Sequence, residues 1–208
     1  ILGFTVGGDY RISRQLTVGV AYTYSNTSGD FRQGGNFSTN GSNGTFFGQY
    51  LPTDRTFVQV TGGYGYNSYL VNRGNNFAVL GPGGINVAGF SSSNSNSDVF
   101  RLGMLTGYDH PIGMFTIGPR LGINYSHTHI HSYDEQGTTG LELKFNDQYV
   151  NSLQSVLGVQ AQAAISTGLG VLVPQVNADY IHEFANSQRF LNVQYVQDLN
   201  PTPTKFSF

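Results

Sequence analysis

Large apolar and small polar positions alternate along this chain, and the alternation restarts at intervals. In Leu16-Thr17-Val18-Gly19-Val20-Ala21-Tyr22-Thr23-Tyr24 every even position is large and apolar or aromatic, and every odd one is small or hydroxylated. Successive side chains of a strand point to opposite faces, so this segment predicts a strand with one greasy face and one small, polar face. Val58, Val60, Tyr64 and Tyr66 oppose Gln59, Thr61, Gly63 and Gly65 in the same way. Phe100, Leu102, Met104 and Tyr108 oppose Arg101, Gly103 and Gly107, and Ile117, Leu121, Ile123 and Tyr125 oppose Gly118, Arg120, Gly122 and Asn124. Leu157, Val159 and Ala161 oppose Gly158, Gln160 and Gln162. Leu2 to Arg11 and Leu172 to Tyr180 behave likewise and Thr45 to Leu51 more weakly, which predicts about eight strands.

Connections alternate in length. Short turns are expected at Ile12–Gln15, Pro52–Arg55, Pro111–Gly113 and Ser166–Gly170, and long polar loops at Asn26–Gly44, Asn67–Ser97 and His127–Asn151. That order describes an antiparallel up-and-down meander with its short turns on one rim, as in outer-membrane barrels. Tyrosines mark both rims: Tyr10, Tyr50 and Tyr108 beside short turns, and Tyr22, Tyr24, Tyr66, Tyr125 and Tyr180 toward the long loops. All but Tyr50 clearly share the apolar parity. Two aromatic rings flanking an apolar band suit the two membrane–water interfaces.

Composition decides between a soluble and a membrane barrel. Only 11% of the 208 residues are charged, while 28 are Gly and 28 are Tyr or Phe, from 13 and 15. In a soluble barrel the apolar face fills a dry interior and the other face meets water, which calls for Lys and Glu. Here that other face carries Gly, Gln and a few Arg, which suits a crowded aqueous lumen. Arg11, Arg101, Arg120, Gln160, Gln162, Asp179 and Glu183 are therefore assigned to the lumen, since Arg facing lipid at mid-membrane costs about 2–4 kcal/mol. They line a hydrated path or pair across the wall. The net charge of -2 offers no basic field for nucleic acid, and the absence of Cys removes disulfides and thiol chemistry. No apolar run approaches the roughly 20 residues of a spanning helix.

Some positions fit the pattern poorly. Pro119 and Pro174 fall inside strand patterns, where bulges are expected. Phe57 and Leu105 have inward parity, which implies packing against a plug or a misplaced boundary. His127, His129 and His131 alternate at one strand end, a spacing that permits metal binding. The favoured reading is an exposed external rim, with no metal and no cofactor. Asp134, Glu135 and Ser126 drawn with these histidines as a hydrolase triad lack any nucleophile elbow, so no catalysis is expected. Gly81-Pro82-Gly83-Gly84 lacks the Lys and helix of a phosphate cradle and reads as a turn.

Four stretches resemble the autotransporter β-domain of type V secretion. They are GFTVGGDYRISRQLTVGVAYTYSNTSGDF at 3–31, GGYGYNSYLVNR at 62–73, YDHPIGMFTIGPRLGINYSHTHIHSYDEQGTTGLEL at 108–143 and SLQSVLGVQAQAAISTGLGVLVPQVNADYIHEF at 152–184. The resemblance implies an all-β, antiparallel transmembrane barrel of roughly twelve strands. Its lumen holds a helix joined to an N-terminal passenger that reaches the surface of a Gram-negative bacterium. It further implies outer-membrane localisation, contact with lipids and lipopolysaccharide, and help from the barrel assembly machinery. On this basis residues 1–208 are expected to be a partial β-domain lacking the linker helix, the first strand and the last strands. Lys205-Phe206-Ser207-Phe208 is expected in an external loop, and Arg189–Gln197 in an external hairpin arm, although it could form a ninth strand. The alternative is a small closed eight-stranded barrel serving as an adhesin or structural protein, in which the Leu2 strand pairs with the last one.

Overall fold

The computed structural model describes residues 2–32, 34–78, 86–168, 170–185, 190–198 and 204–207, with backbone alone for 75–78, 86–87, 190 and 204–207. Gly81–Gly84 and Phe208 lie outside the described residues. Eight strands form the wall: β1 (Leu2–Arg11), β2 (Leu16–Asp30), β3 (Gly35–Thr53), β4 (Thr56–Ala78), β5 (Asn86–Tyr108), β6 (Phe115–Ile130), β7 (Gln148–Ala163) and β8 (Gln175–Glu183). Each pairs antiparallel with its chain neighbour. Among the described residues there is no helix, and β1 does not pair with β8. The closed eight-stranded alternative requires that pairing.

The wall is sheared. A single row of paired residues runs Arg11, Thr17, Gln49, Gln59, Leu105, Gly122, Val156, Ile181. Arg11 sits beside its short turn, whereas Ile181 lies near the far end of β8. Such stagger is what tilted strands in a barrel wall require.

All four short turns fall at one end. Both prolines break the ladder without shifting its register. β5 and β6 pair as far as Gly107 with Arg120, skip Tyr108–Asp109, and resume with His110 opposite Ile117. Pro119, which has no N–H to donate, sits in that gap. Likewise β7 and β8 stop at Gln162–Gln175 and resume in the Ile165–Thr167 and Gly170–Leu172 hairpin. There the Pro174 carbonyl accepts the Ala163 N–H at 3.1 Å. The expected bulges are thus interruptions in register.

Two expected loops are not loops. Asn26–Gly44 and Asn67–Ser97 are mostly strand, because β2 and β3 pair up to Asp30–Asn36 and β4 and β5 up to Ala78–Asn86. β4 and β5 reach 23 residues each, about twice the roughly 9–11 that cross a bilayer. Ser91, Ser93, Ser95 and Ser97 are buried on one side of β5. Backbone pairing needs no apolar residue, so Asn/Ser-rich segments carry the ladder beyond the apolar band with no hydrophobic period to announce it. In 127–151, β6 continues to Ile130 and β7 begins at Gln148. The rest contributes to a small separate sheet in the order Thr204–Ser207, Phe190–Tyr195, Leu143–Phe145, Tyr133–Asp134. Phe190–Tyr195 is therefore part of this outer cap and not a ninth wall strand. Gln136–Gly137 ties the cap to β5 through Ser91 and Ser92.

Candidate functional site

The two faces of the wall differ in chemistry and in exposure. Leu2, Phe4 and Val6 of β1, Val20 of β2, Leu121 and Ile123 of β6, and Leu157 and Val159 of β7 are all exposed, Leu2 at 78% and Leu157 at 60%. They share one face, as the pairs Val6–Tyr22, Leu121–Leu157 and Leu157–Tyr180 require. The opposite face is crowded: Ser97 is fully covered, and Val99 and Phe57 are each 7% exposed. A sheet curled toward one face crowds that face, so the apolar side is convex and outward. A continuous apolar band of this size left bare is not a surface that water tolerates.

The tyrosines extend that outward face at both ends. Tyr10, Tyr22, Tyr66, Tyr108, Tyr125 and Tyr180 are exposed, and Tyr24 is half-buried. Tyr50, whose parity the sequence left open, stands opposite Leu16 and Val58 and belongs to the same face. Several hydroxyls reach away from the apolar band. Tyr22 donates to Ser42 Oγ at 3.0 Å and Tyr24 to Asn40 Oδ1 at 3.1 Å, both on the polar extension of β3. Arg55 reaches the Tyr108 hydroxyl at 3.5 Å at the turn end. A ring in the apolar layer with its hydroxyl in the polar one is the placement an interface favours.

On the inward face, glycines make room for side chains that lie across the strands. One row runs Phe57, Gly107, Arg120, Gly158, Asp179. Arg120 and Asp179 form a two-pronged ion pair over Gly158, with Arg120 Nε donating to Asp179 Oδ1 at 2.6 Å and Nη2 to Oδ2. A Cβ on Gly158 would come within 2.0 Å of Asp179 Oδ1. A Cβ on Gly107 would come within 2.5 Å of the Phe57 ring. The inward parity of Phe57 and Leu105 is thus real: with Val156 and Gly122 they make an apolar patch low on the inward face.

The other residues assigned to the lumen fare differently. Arg101 lines an open groove of about 340 Å³ with Thr61, Gly103, Asn124, Ser126 and Gln154. Gln160 donates to Asp109 Oδ1 at 2.6 Å, which anchors the ladder gap at Pro119. Gln162 shares this face, opposite Thr116 and Gln175. Glu183 accepts from the Leu153 and Ala185 N–H groups at 2.8 and 2.9 Å and from Ser152 Oγ at 2.5 Å, closing the end of β8. Arg11 instead folds onto its own turn, donating to the carbonyls of Ser13 and Arg14 at 3.2 and 2.9 Å.

The histidines divide. His127 Nδ1 contacts Asn151 Oδ1 at 2.6 Å. His131 Nε2 lies 2.6 Å from Asp98 Oδ2, and His129 stands opposite Asp98 in the ladder; sequence reading missed Asp98 because it stands in a Ser/Asn-rich stretch far away along the chain. Ser126, Asp134 and Glu135 do not converge: Ser126 lines the inward groove, Asp134 faces Lys144 at 3.8 Å, and Glu135 is held by Arg73 at 2.6 Å. No triad forms.

A model of the autotransporter β-domain family matches residues 1–207. Over 209 aligned residues and 97% of this chain, "Outer membrane protein A" of Rickettsia conorii is 23% identical, with the match spanning 10% of its length. The protein of that name in Rickettsia rickettsii is likewise 23% identical over 97% of this chain and 9% of its own length. The chain thus spans about a tenth of these curated relatives. In fold it is similar to the translocator domain of autotransporter NalP from Neisseria meningitidis, with a TM-score of 0.73 and 14% identity, over 92% of this chain and 68% of that one.

Proposed function

This chain belongs to the autotransporter β-domain family, and from that premise we propose that its strands form part of a roughly twelve-stranded wall that anchors and helps export an N-terminal passenger. The domain is an outer-membrane translocator of type V secretion, a transport class. One observation carries the proposal: a bare apolar outward face bounded by tyrosines is backed by an inward face of Gly, Gln, Ser, Thr and paired charges. The first suits hydrocarbon, and the second hydrates an extended polypeptide without gripping it.

Further strands fit the outer edges of β1 and β8, which no described strand pairs, because open sheet edges in lipid leave backbone groups unsatisfied. Residues 1–208 then make up part of the β-domain, with a linker helix and first strand before them and last strands after. The linker helix would lie along the groove beside Arg101, and the barrel assembly machinery would fold the whole. Outer-membrane lipid would contact Val20, Leu121 and Leu157, and lipopolysaccharide the polar residues above the tyrosines. The inward charges serve the wall and the passage, with no catalysis among them.

The test uses the intact protein with an epitope in the segment preceding this domain, expressed in a Gram-negative host. Deleting residues 2–183 should abolish cleavage of the epitope by protease added to whole cells. Undiminished surface cleavage would defeat the proposal.

A further inference from the structure

We propose that Asp98, His129 and His131 form a divalent transition-metal site, suited to zinc, on the outward face just beyond the tyrosine belt. The ladder itself assembles it. Asp98 of β5 stands directly opposite His129 of β6. His131 follows, held by its N–H to the Asn96 carbonyl at 3.0 Å. One ligand atom from each of the three lies within 4.8 Å of the others. Tetrahedral zinc bonds of about 2.0–2.2 Å set ligand atoms roughly 3.3 Å apart, so side-chain rotation suffices to close the set.

A second observation points at a missing partner. His129 Nε2 is buried and makes no hydrogen bond. Asp147 Oδ1 stands 3.4 Å away, out of line for a bond, and is itself taken by the Ser132 N–H. The surroundings also orient the ligands as metal sites do. The Tyr64 hydroxyl donates to Asp98 Oδ1 at 2.5 Å, and the His129 ring lies flat on Tyr149, centroids 4.4 Å apart at 11°. Two imidazoles with one carboxylate select zinc, nickel or copper over calcium or magnesium. At present His131 Nε2 and Asp98 Oδ2 share a 2.6 Å contact. Binding would replace that contact with a bond from each side chain to the metal. His127 lies on the same face but is turned to Asn151, which makes it an internal control.

Cobalt is the probe, titrated into the intact, tag-free protein purified in detergent and stripped with chelator. One equivalent should bind with the intense visible absorption of tetrahedral cobalt, and zinc should displace it. His129→Gln, His131→Gln and Asp98→Asn should each weaken binding by about 100-fold, and Tyr64→Phe by about 10-fold, as loss of a ligand or of its orienting partner does. His127→Gln should leave affinity unchanged. An octahedral spectrum, binding weaker than millimolar, or an equal loss in His127→Gln overturns the site. The unmodified protein's spectrum decides the matter if a variant does not fold.

Discussion

Near its turn, β4 shows Val58 and Val60 to one side and Gln59 and Thr61 to the other. Beyond Tyr66 the same strand reads Asn67, Ser68, Tyr69, Leu70, Val71, Asn72, Arg73. The ladder continues without a break, but what supports it changes. In the lower half the outward side chains are apolar and bare, and the inward ones interlock over glycines. In the upper half neighbouring strands are joined by short polar bonds. Asn67 donates to Ser97 Oγ at 3.2 Å, Tyr69 and Ser97 share a hydroxyl contact at 3.1 Å, and Asn72 donates to Asn36 Oδ1 at 2.8 Å. Lipid dictates side-chain type in one half because it can neither hydrate a polar group nor replace a lost backbone bond. Water dictates far less in the other.

That difference is open to attack with a single charge. Leu121→Arg, on the outward face of the lower half, should destabilise the folded protein in phospholipid vesicles by about 2–4 kcal/mol. Asn94→Arg, exposed on the outward side of the upper half of β5, should change stability by less than about 0.5 kcal/mol. Urea unfolding of both variants reads the contrast. Equal effects would mean that both halves face the same medium.

A smaller effect tests the inward face. Gly158→Val would drive a side chain into the Arg120–Asp179 pair and should cost about 1–3 kcal/mol through overpacking. Gly168→Val, at a turn where an added Cβ meets nothing within 4 Å, should be close to neutral. Matching losses in the same unfolding assay would show that the inward crowding is not structural.

This contrast also explains what the sequence could disclose. The strands of the lower half were legible because lipid enforces a period of two, so Leu16 to Tyr24 or Ile117 to Tyr125 announce both a strand and its outward face. Asn26–Gly44 and Asn67–Ser97 were misread as loops because nothing on the aqueous side enforces that period. Among site residues, alternation groups Arg101, Arg120, Gln160 and Asp179 on one face of the sheet. It did not reveal that Arg120 and Asp179 meet over Gly158, since that depends on the register of three strands. Arg11 shares that parity, but its long side chain reaches acceptors in its own turn. Asp98 opposite His129 was invisible for the same reason as the ion pair: register is a property of the folded sheet.

A weaker perturbation sharpens the comparison from the cap. Glu135, buried at 7% exposure, accepts two bonds from Arg73 and one from the Leu143 N–H at 3.0 Å. It ties the cap to the top of β4. Glu135→Ala should cost about 1 kcal/mol, mostly locally, by leaving donors unmet. Limited proteolysis should cut 133–145 faster while the melting of the wall stays fixed. A fall in wall stability of equal size would show cap and wall to be one cooperative unit.

Acid should make the gentlest separation of the two halves. Backbone donation from Thr139 holds the Glu142 carboxyl below its ordinary range, and the Ser132 N–H does the same for Asp147. A depressed carboxyl contributes stability that is fully present above the unfolded value, about 4, and is lost as pH falls through the lower folded value. The cap should therefore hold from neutrality down to about pH 4 and loosen below it, each proton breaking a bond that fastens a cap loop. In the lower wall the backbone ladder has no water to turn to, and it should persist. Hydrogen exchange reads this directly. The Ser132 and Thr139 amides should gain exchange, beyond the intrinsic pH trend, over the range where Leu121 and Ile123 amides stay protected. Loosening of all four together, or of the cap already at neutral pH, would remove the carboxylates from the account.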